Sequence, residues 1–194
     1  IYPTSVVDLA RTPQSPIIVK PNGDGTYTDW TGTYADWDDW PTHDADSTKV
    51  STTSTEQSES STLTDPSSLT WPIAKVRVVA GARYLTTTNE KLILMILIGG
   101  TEYEGKAHTL TTTYANYTSE WAVNPATEQF WTWPDIIDLE AGVRSRAEGG
   151  WSGEIRVTQL YVEVTGPRLS VDIMADYVTD LFGYQLPLDV SYLP

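Results

Sequence analysis

Apolar and polar residues alternate along the middle of the chain. Between residues 75 and 84, apolar side chains at the even positions alternate with Lys75, Arg77 and Arg83. A period of two is typical of a half-buried β-strand. Further strands are predicted at residues 17–19, 26–30, 48–53, 59–64, 92–98, 101–104, 108–113, 117–122 and 154–165. Many short strands separated by turn residues predict an all-β chain folded as an antiparallel, jelly-roll-like β-sandwich.

Proline and glycine divide the chain into three parts. We predict an extended N-terminal arm (1–25), a sandwich domain (26–165) and an extended C-terminal tail (166–194). Within the arm, Asn and Gly at residues 22–25 indicate a tight turn. Within the sandwich, Pro134 suits the first turn of a helix, so one short helix is expected near 134–140.

The segment 92–98 reads LILMILI and has no polar face. A strand of a two-layer sandwich normally leaves one face polar, since that face meets water. Two explanations stay open. Either the chain's own helix or tail covers the outer face of this strand, or a neighbouring subunit covers it, because an uncovered apolar strand promotes aggregation.

Both terminal segments carry more apolar residues than disordered tails usually do. They are expected to be buried, either on their own domain or on a neighbour by strand addition. The second option is favoured for the C-terminal tail. The residues predicted to contact other subunits are Ile17, Ile18, Val19, Ile93, Met95, Leu97, Phe182, Leu186, Leu188 and Tyr192.

The segment 30–46 combines tryptophan with aspartate. Trp30, Trp37 and Trp40 are candidate glycan-binding residues, because flat aromatic faces pack on sugar rings and carboxylates accept hydrogen bonds from hydroxyls. Alternatively, the tryptophans cap one end of the sandwich and the aspartates are solvated. The aspartates also leave a structural calcium ion open, although none follows the EF-hand spacing. We predict no metal site and no cofactor.

Charge and composition exclude several classes of function. The chain has 12 basic and 26 acidic residues, a net charge of -14, which argues against nucleic acid and anionic membranes as partners. It contains no cysteine and no apolar run near the roughly 18 residues of a membrane span. His43 and His108 lie far apart, and no serine-nucleophile, zinc or phosphate-loop motif is present. We therefore predict that the protein is not an enzyme.

Several short stretches resemble a type of β-sandwich structural protein encoded by tailed bacteriophages. The resemblance covers roughly residues 70–165 and lies in Gly99-Gly100-Thr101-Glu102-Tyr103, Thr111-Thr112-Thr113-Tyr114, Trp121 with Asn124-Pro125, Trp131-Thr132-Trp133, Leu139-Glu140-Ala141-Gly142-Val143 and Thr158-Gln159-Leu160-Tyr161-Val162-Glu163-Val164. It implies a virion component of the capsid-decoration, head-fibre or tail-accessory type, with no catalytic residues. The apolar strand at 92–98 and the long C-terminal tail depart from the family pattern.

These observations favour a non-enzymatic virion structural protein that decorates or cements a phage capsid or tail. Its expected partners are copies of itself and a major capsid or tail protein, and its expected location is the extracellular virion surface. One alternative is a carbohydrate-binding module for surface attachment, with a glycan as partner. Another is a subunit of a non-viral extracellular filament. An enzyme would need two facing carboxylates in a cleft.

Overall fold

A computed structural model describes residues 15–66, 71–86, 90–147, 149 and 153–167, which contain ten strands, one short α-helix and one turn of 3-10 helix at Tyr34–Asp36. All of these residues lie in the compact unit Gln14–Pro167. The strands are β1 (Ile17–Val19), β2 (Pro21–Thr28), β3 (Val50–Thr52), β4 (Ser58–Leu63), β5 (Lys75–Tyr84), β6 (Glu90–Ile98), β7 (Thr101–Thr109), β8 (Ala115–Trp121), β9 (Glu140–Ala147) and β10 (Ile155–Thr165), and the helix is α1 (Trp133–Ile137).

The strands form two five-stranded antiparallel sheets. Sheet A has the order β1-β10-β5-β8, with β3 also paired to β10, and sheet B has the order β2-β4-β9-β6-β7. Among these strands the chain changes sheet at every step except from β6 to β7, which form a hairpin. The predicted all-β antiparallel sandwich is therefore confirmed.

The core lies between the inner faces of the two sheets. Its central layer is built by alternate residues of β5 and β6, all of them fully buried: Val76, Val78, Ala80, Ala82, Leu92, Leu94 and Ile96. Burial of one Val, Leu or Ile side chain contributes about 1.5–3 kcal/mol. The period-two pattern of β5 therefore indicated correctly which side chains face inward.

The sandwich begins earlier than the predicted boundary at residue 26. In β1, Ile17 lies opposite Val164 and Val19 lies opposite Val162, both on the chain's own β10. Val19 is buried in the core, and Ile18 is half-buried. These three residues therefore have partners within the chain, and because β1 is the edge strand of sheet A, the contact of Ile17, Ile18 and Val19 with another subunit stays a prediction.

Residues 22–25 do not form the predicted turn but belong to β2. Five residues of β2, from Asp24 to Thr28, lie opposite only three residues of β4, from Glu59 to Ser61. Residues 25–27, here called the β2 bulge, lie opposite Ser60 alone and extend over the outer face of sheet B. A side chain at Gly25 would collide with the side chains of Glu140 and Ser60, so this glycine permits a close approach instead of a turn.

Side chains from sheet B hold the β2 bulge in place. The Glu140 carboxylate accepts hydrogen bonds from the Thr26 backbone N–H at 2.7 Å, the Thr26 hydroxyl at 2.8 Å and the Ser60 hydroxyl at 2.8 Å. The Ser60 hydroxyl also accepts the Tyr27 backbone N–H at 3.0 Å. The bulge thereby satisfies its backbone donors although it has left the regular ladder.

The outer face of β6 is covered from within the chain. Met95 lies opposite Glu104 on β7 and opposite Gly142 on β9. Arg144 of β9 and Glu102 of β7 form an ion pair at 2.9 Å. In the register of these strands the pair runs diagonally over Met95 and the outward side chains of β6 beside it, here called the Met95 row. Tyr27 of the β2 bulge reaches the same carboxylate, and burial, followed by the charge of Glu102, raises the pKa of its hydroxyl.

Ile93, Met95 and Leu97 are all buried within the single chain, at no more than 1% exposure. This corrects the prediction that they contact a neighbouring subunit, because polar side chains of β2, β7 and β9 lie over the strand instead. The other predicted contacts, Phe182, Leu186, Leu188 and Tyr192, lie outside the described residues, as does the predicted tail from residue 168 onward. Where the chain is described, no helix is long and apolar enough to cross a membrane.

The predicted helix is present but shorter than 134–140. Thr132 and Asp135 form a capping box at its start, in which the Asp135 carboxylate accepts the Thr132 backbone N–H at 2.7 Å. Ile136 and Leu139 are buried against the core. The predicted strands at 101–104 and 108–113 also differ from the structure, since β7 runs unbroken through Gly105, where a side chain would collide with Ser119.

Glu59 is a buried carboxyl group on the core side of β4. It accepts the backbone N–H of Trp30 at 2.9 Å. Burial raises its pKa to about 7, and the neighbouring charges of Asp24 and Asp29 act in the same direction. The folded chain therefore retains this proton over a pH range in which the unfolded chain has released it.

We predict that Glu59→Gln changes how stability depends on pH. Between about pH 4.5 and 7 the wild type loses stability from this group as pH rises, because only its unfolded state releases the proton. The unfolding free energy of Glu59→Gln relative to wild type should therefore increase across this window and level off above it. Urea unfolding at several pH values measures the difference, with the exposed Glu128→Gln as control. A pH-independent difference would contradict the prediction.

We also predict that Glu140→Ala releases the β2 bulge. A hydrogen bond to a charged group contributes about 1.5–3 kcal/mol. Because Thr26 is exposed, its released donors bond to water instead, so the unfolding free energy should fall by about 2–3 kcal/mol in total. Urea unfolding measures this loss, and Asp65→Ala, which removes an exposed carboxylate elsewhere, should change it little. Equal stability of the two variants would show that Glu140 does not hold the bulge.

Candidate functional site

The segment 31–46 completes one edge of sheet A. Along this edge of β10, β3 pairs with residues 155–157 and β1 pairs with residues 162–164. Between them, the Leu160 N–H donates to the Trp37 carbonyl at 2.7 Å, and Asp38 forms a bridge with Gln159. The loop therefore takes the place of a strand in the gap, since buried backbone groups need partners.

Two of the three candidate tryptophans lie in the core. Trp37 is 0% exposed and donates its indole N–H to the Ser61 hydroxyl at 2.9 Å, and Trp30 is 5% exposed and donates to the Gln57 carbonyl at 3.1 Å. Neither presents a ring face to solvent. This corrects the glycan-binding prediction for Trp30 and Trp37, because both side chains point inward to fill the sandwich.

Trp40 is different, because its side chain lies on the outer face of sheet A and is 42% exposed. Its ring packs edge-on against the ring of Tyr161, with the centroids 4.7 Å apart. Tyr161 itself is buried, and burial, followed by the charge of Glu163, raises the pKa of its hydroxyl. The outer face of sheet A thus presents an indole supported from below by a second aromatic ring.

Charged pairs adjoin the two rings. Glu163 lies two residues from Tyr161 on the same face of β10, and Arg77 lies opposite Glu163 on β5. The Arg77 Nε donates to the Glu163 carboxylate at 2.7 Å. Glu120, opposite Arg77 on β8, also accepts from it and from Lys75, the latter at 2.9 Å.

We call this surface the Trp40 face, and it consists of Trp40, Tyr161, Glu163, Arg77, Glu120 and Lys75. The hydrogen bond from Lys75 holds the pKa of Glu120 below its usual range. The Glu120 carboxylate is therefore a charged acceptor at neutral pH. Chemically, the face offers an aromatic ring for apolar contact, with hydrogen-bond donors and acceptors beside it.

Aspartates of the loop form hydrogen bonds and ion pairs with other residues of the same chain. The Asp46 carboxylate forms ion pairs with Arg83 and Arg156, and it accepts a hydrogen bond from the Tyr114 hydroxyl at 2.8 Å. Burial opposes the ionisation of Asp46, but the bonds from Tyr114 and Arg156 outweigh it and hold its pKa below the usual range. Asp44 accepts from Thr48 and Thr158 at 3.0–3.2 Å. These contacts fasten the loop to sheet A.

The structure offers no support for the calcium alternative in the residues it describes. Within these ranges no three His, Asp or Glu side chains are grouped so as to hold a metal ion. The aspartate oxygens of the loop face threonine, tyrosine and arginine donors instead.

Most of the Trp40 face was missed by sequence reasoning. The alternating pattern of β5 did indicate that Lys75 and Arg77 face outward. No signal in the sequence, however, indicated that Glu163, 86 residues after Arg77, lies against it, or that Trp40 lies on Tyr161. These neighbours follow from the strand register and from the course of the loop.

Comparisons with known proteins find chains that are similar to this one in structure, but none that is similar in sequence. No protein-family model matches the sequence, and no curated protein matches it. Among solved structures, the chain is similar to the CBM22-1 xylan-binding domain of Paenibacillus barcinonensis Xyn10C, with 11% identity, a TM-score of 0.41, and coverage of 80% of this chain and 99% of that one.

Two further solved structures are similar to a comparable degree. A family 29 carbohydrate-binding module, CBM29-2, has 12% identity, a TM-score of 0.42, and coverage of 79% of this chain and 94% of that one. The xylan-binding module CBM15 has 12% identity, a TM-score of 0.41, and coverage of 81% and 94%. Identities this low and TM-scores below 0.5 leave the functional argument to the chain's own residues.

Proposed function

We propose that this chain is a non-catalytic module that binds a carbohydrate through the Trp40 face. The observation that carries the proposal is Trp40 itself, a tryptophan that is 42% exposed on the outside of a sheet and packed on Tyr161. The apolar C–H face of a sugar ring fits an indole, and sugar hydroxyls fit the donors and acceptors of Arg77 and Glu163. This arrangement suits binding, and it contains no nucleophile with an adjacent base.

The support from Tyr161 favours binding in a second way. An aromatic pair in edge-to-face contact is stabilised by about 0.5–1.5 kcal/mol beyond its buried area. Trp40 is therefore held in one orientation before any ligand arrives. Because less side-chain freedom is lost on binding, more of the contact energy remains as affinity.

We predict that Trp40→Ala weakens carbohydrate binding by up to about tenfold, since an aromatic contact contributes about 0.5–1.5 kcal/mol. A glycan array run with the full chain identifies the ligand, and calorimetry compares the variants. Phe130→Ala is the matched control, because Phe130 is an exposed aromatic residue, at 78%, outside the Trp40 face. No binding by the full chain, or equal losses in both variants, would contradict the proposal.

A second proposal keeps the virion structural role, with contacts to copies of the chain and to a major capsid or tail protein outside the cell. What supports it is a pair of exposed apolar residues at the two ends of the turn at residues 123–130. Phe130 is 78% and Val123 is 40% exposed, and both flank a turn closed by the pairing of Asn124 with Gln129. Exposed apolar residues that lie together often mark contacts between proteins.

For this second role, we predict that the full chain forms an oligomer of defined size that Phe130→Glu dissociates, because burying the new charge in a contact is unfavourable. Light scattering over a range of concentrations measures the mass. Trp40→Glu is the control and should leave the mass unchanged. A monomer at every concentration would contradict the virion role.

A further inference from the structure

We infer that the ligand of the Trp40 face is an uncharged carbohydrate. Acidic sugars are excluded, because carboxylates of the chain already pair with the cations of this face. This inference rests on the proposed function, and it goes further by naming the chemical class of the ligand.

Both cations of the Trp40 face are paired within the chain. Arg77 contacts Glu163 through Nε at 2.7 Å and through a second guanidinium nitrogen, and it also lies 3.5 Å from Glu120. Lys75 lies 2.9 Å from Glu120. Two cations thus meet two carboxylates, and the charges of these four groups sum to zero.

The arginines farther along the same face are paired as well. Arg83 and Arg156 both contact the Asp46 carboxylate. Arg156 also contacts Glu154 at 2.9 Å. Among the described residues, every arginine on the outer face of sheet A therefore has a carboxylate partner.

An acidic sugar would have to compete with these carboxylates. To reach Arg77 its own carboxylate or sulfate would have to displace Glu163, whose side chain is largely buried, or approach Glu120 closely. Two like charges 4 Å apart repel by about 1 kcal/mol in water and more near a protein surface. The chain as a whole has a net charge of -14, which adds to the repulsion.

Uncharged hydroxyls meet no such barrier. A guanidinium has five N–H donors and a carboxylate has about four acceptor positions. A pair such as Arg77 with Glu163 therefore keeps free donors and acceptors after the two groups have bound each other. A hydroxyl can donate to one group and accept from the other, so the paired charges suit neutral sugars.

The test compares uncharged with uronic-acid or sulfated oligosaccharides, using the full chain and calorimetry near physiological salt. Wild type should bind only the uncharged class, and Trp40→Ala should weaken that binding. Glu163→Gln removes one carboxylate from Arg77 and should raise affinity for the acidic class by about tenfold, with a dependence on salt that the wild type lacks.

Glu102→Gln is the matched control, because it removes the same charge from Arg144 on the opposite sheet. It should produce no gain. If Glu163→Gln does not fold, Glu120→Gln serves instead, since that side chain is more exposed and also contacts Arg77.

The outcomes separate this inference from the proposed function. Binding of acidic sugars by wild type, weakened in Trp40→Ala, would overturn the inference and leave the proposed function standing. Equal behaviour of Glu163→Gln and Glu102→Gln towards acidic sugars would also overturn it. If neither class binds wild type, the proposed function fails and the inference fails with it.

Discussion

Backbone pairing along both sides of β10 organises this molecule. On one side, β5 runs antiparallel to β10 from the pairing of Thr165 with Lys75 to that of Ile155 with Tyr84. On the other side, β1 and β3 leave a gap that the loop fills through the Trp37 carbonyl. Because buried backbone groups need hydrogen-bond partners, the loop must lie in this gap.

The position of the loop has consequences for three of its side chains. Occupying a strand position directs Trp37 into the core, and the following residues bring Trp40 over Tyr161. Asp46 is then held by Arg83 and Arg156 on the same sheet. Most of the acidic and aromatic residues of the loop thus attach it to the sandwich, whereas Trp40 keeps an exposed side chain, the one to which we assign the proposed ligand contact.

The outer faces of the two sheets are used differently. On sheet B, the β2 bulge, Tyr27 and the pair of Arg144 with Glu102 lie across the apolar strand β6, so the Met95 row is closed to partners. On sheet A, the outward side chains of β5 and β10 pair with each other and leave Trp40 half-exposed beside them. The proposed binding surface is therefore assigned to sheet A.

Pattern alone predicted most of the strands, the antiparallel sandwich and the lack of a polar face on β6, because inward and outward positions of a half-buried strand differ at a period of two. It missed β9 (Glu140–Ala147), which lies at the centre of sheet B. Glycine was ambiguous, since Gly25 serves a close approach that looks like a turn in sequence. Only the tertiary structure decided which tryptophan is exposed and which carboxylate meets Arg77. Those contacts join residues far apart in the chain, and they depend on strand register, which the alternation of each strand by itself does not specify.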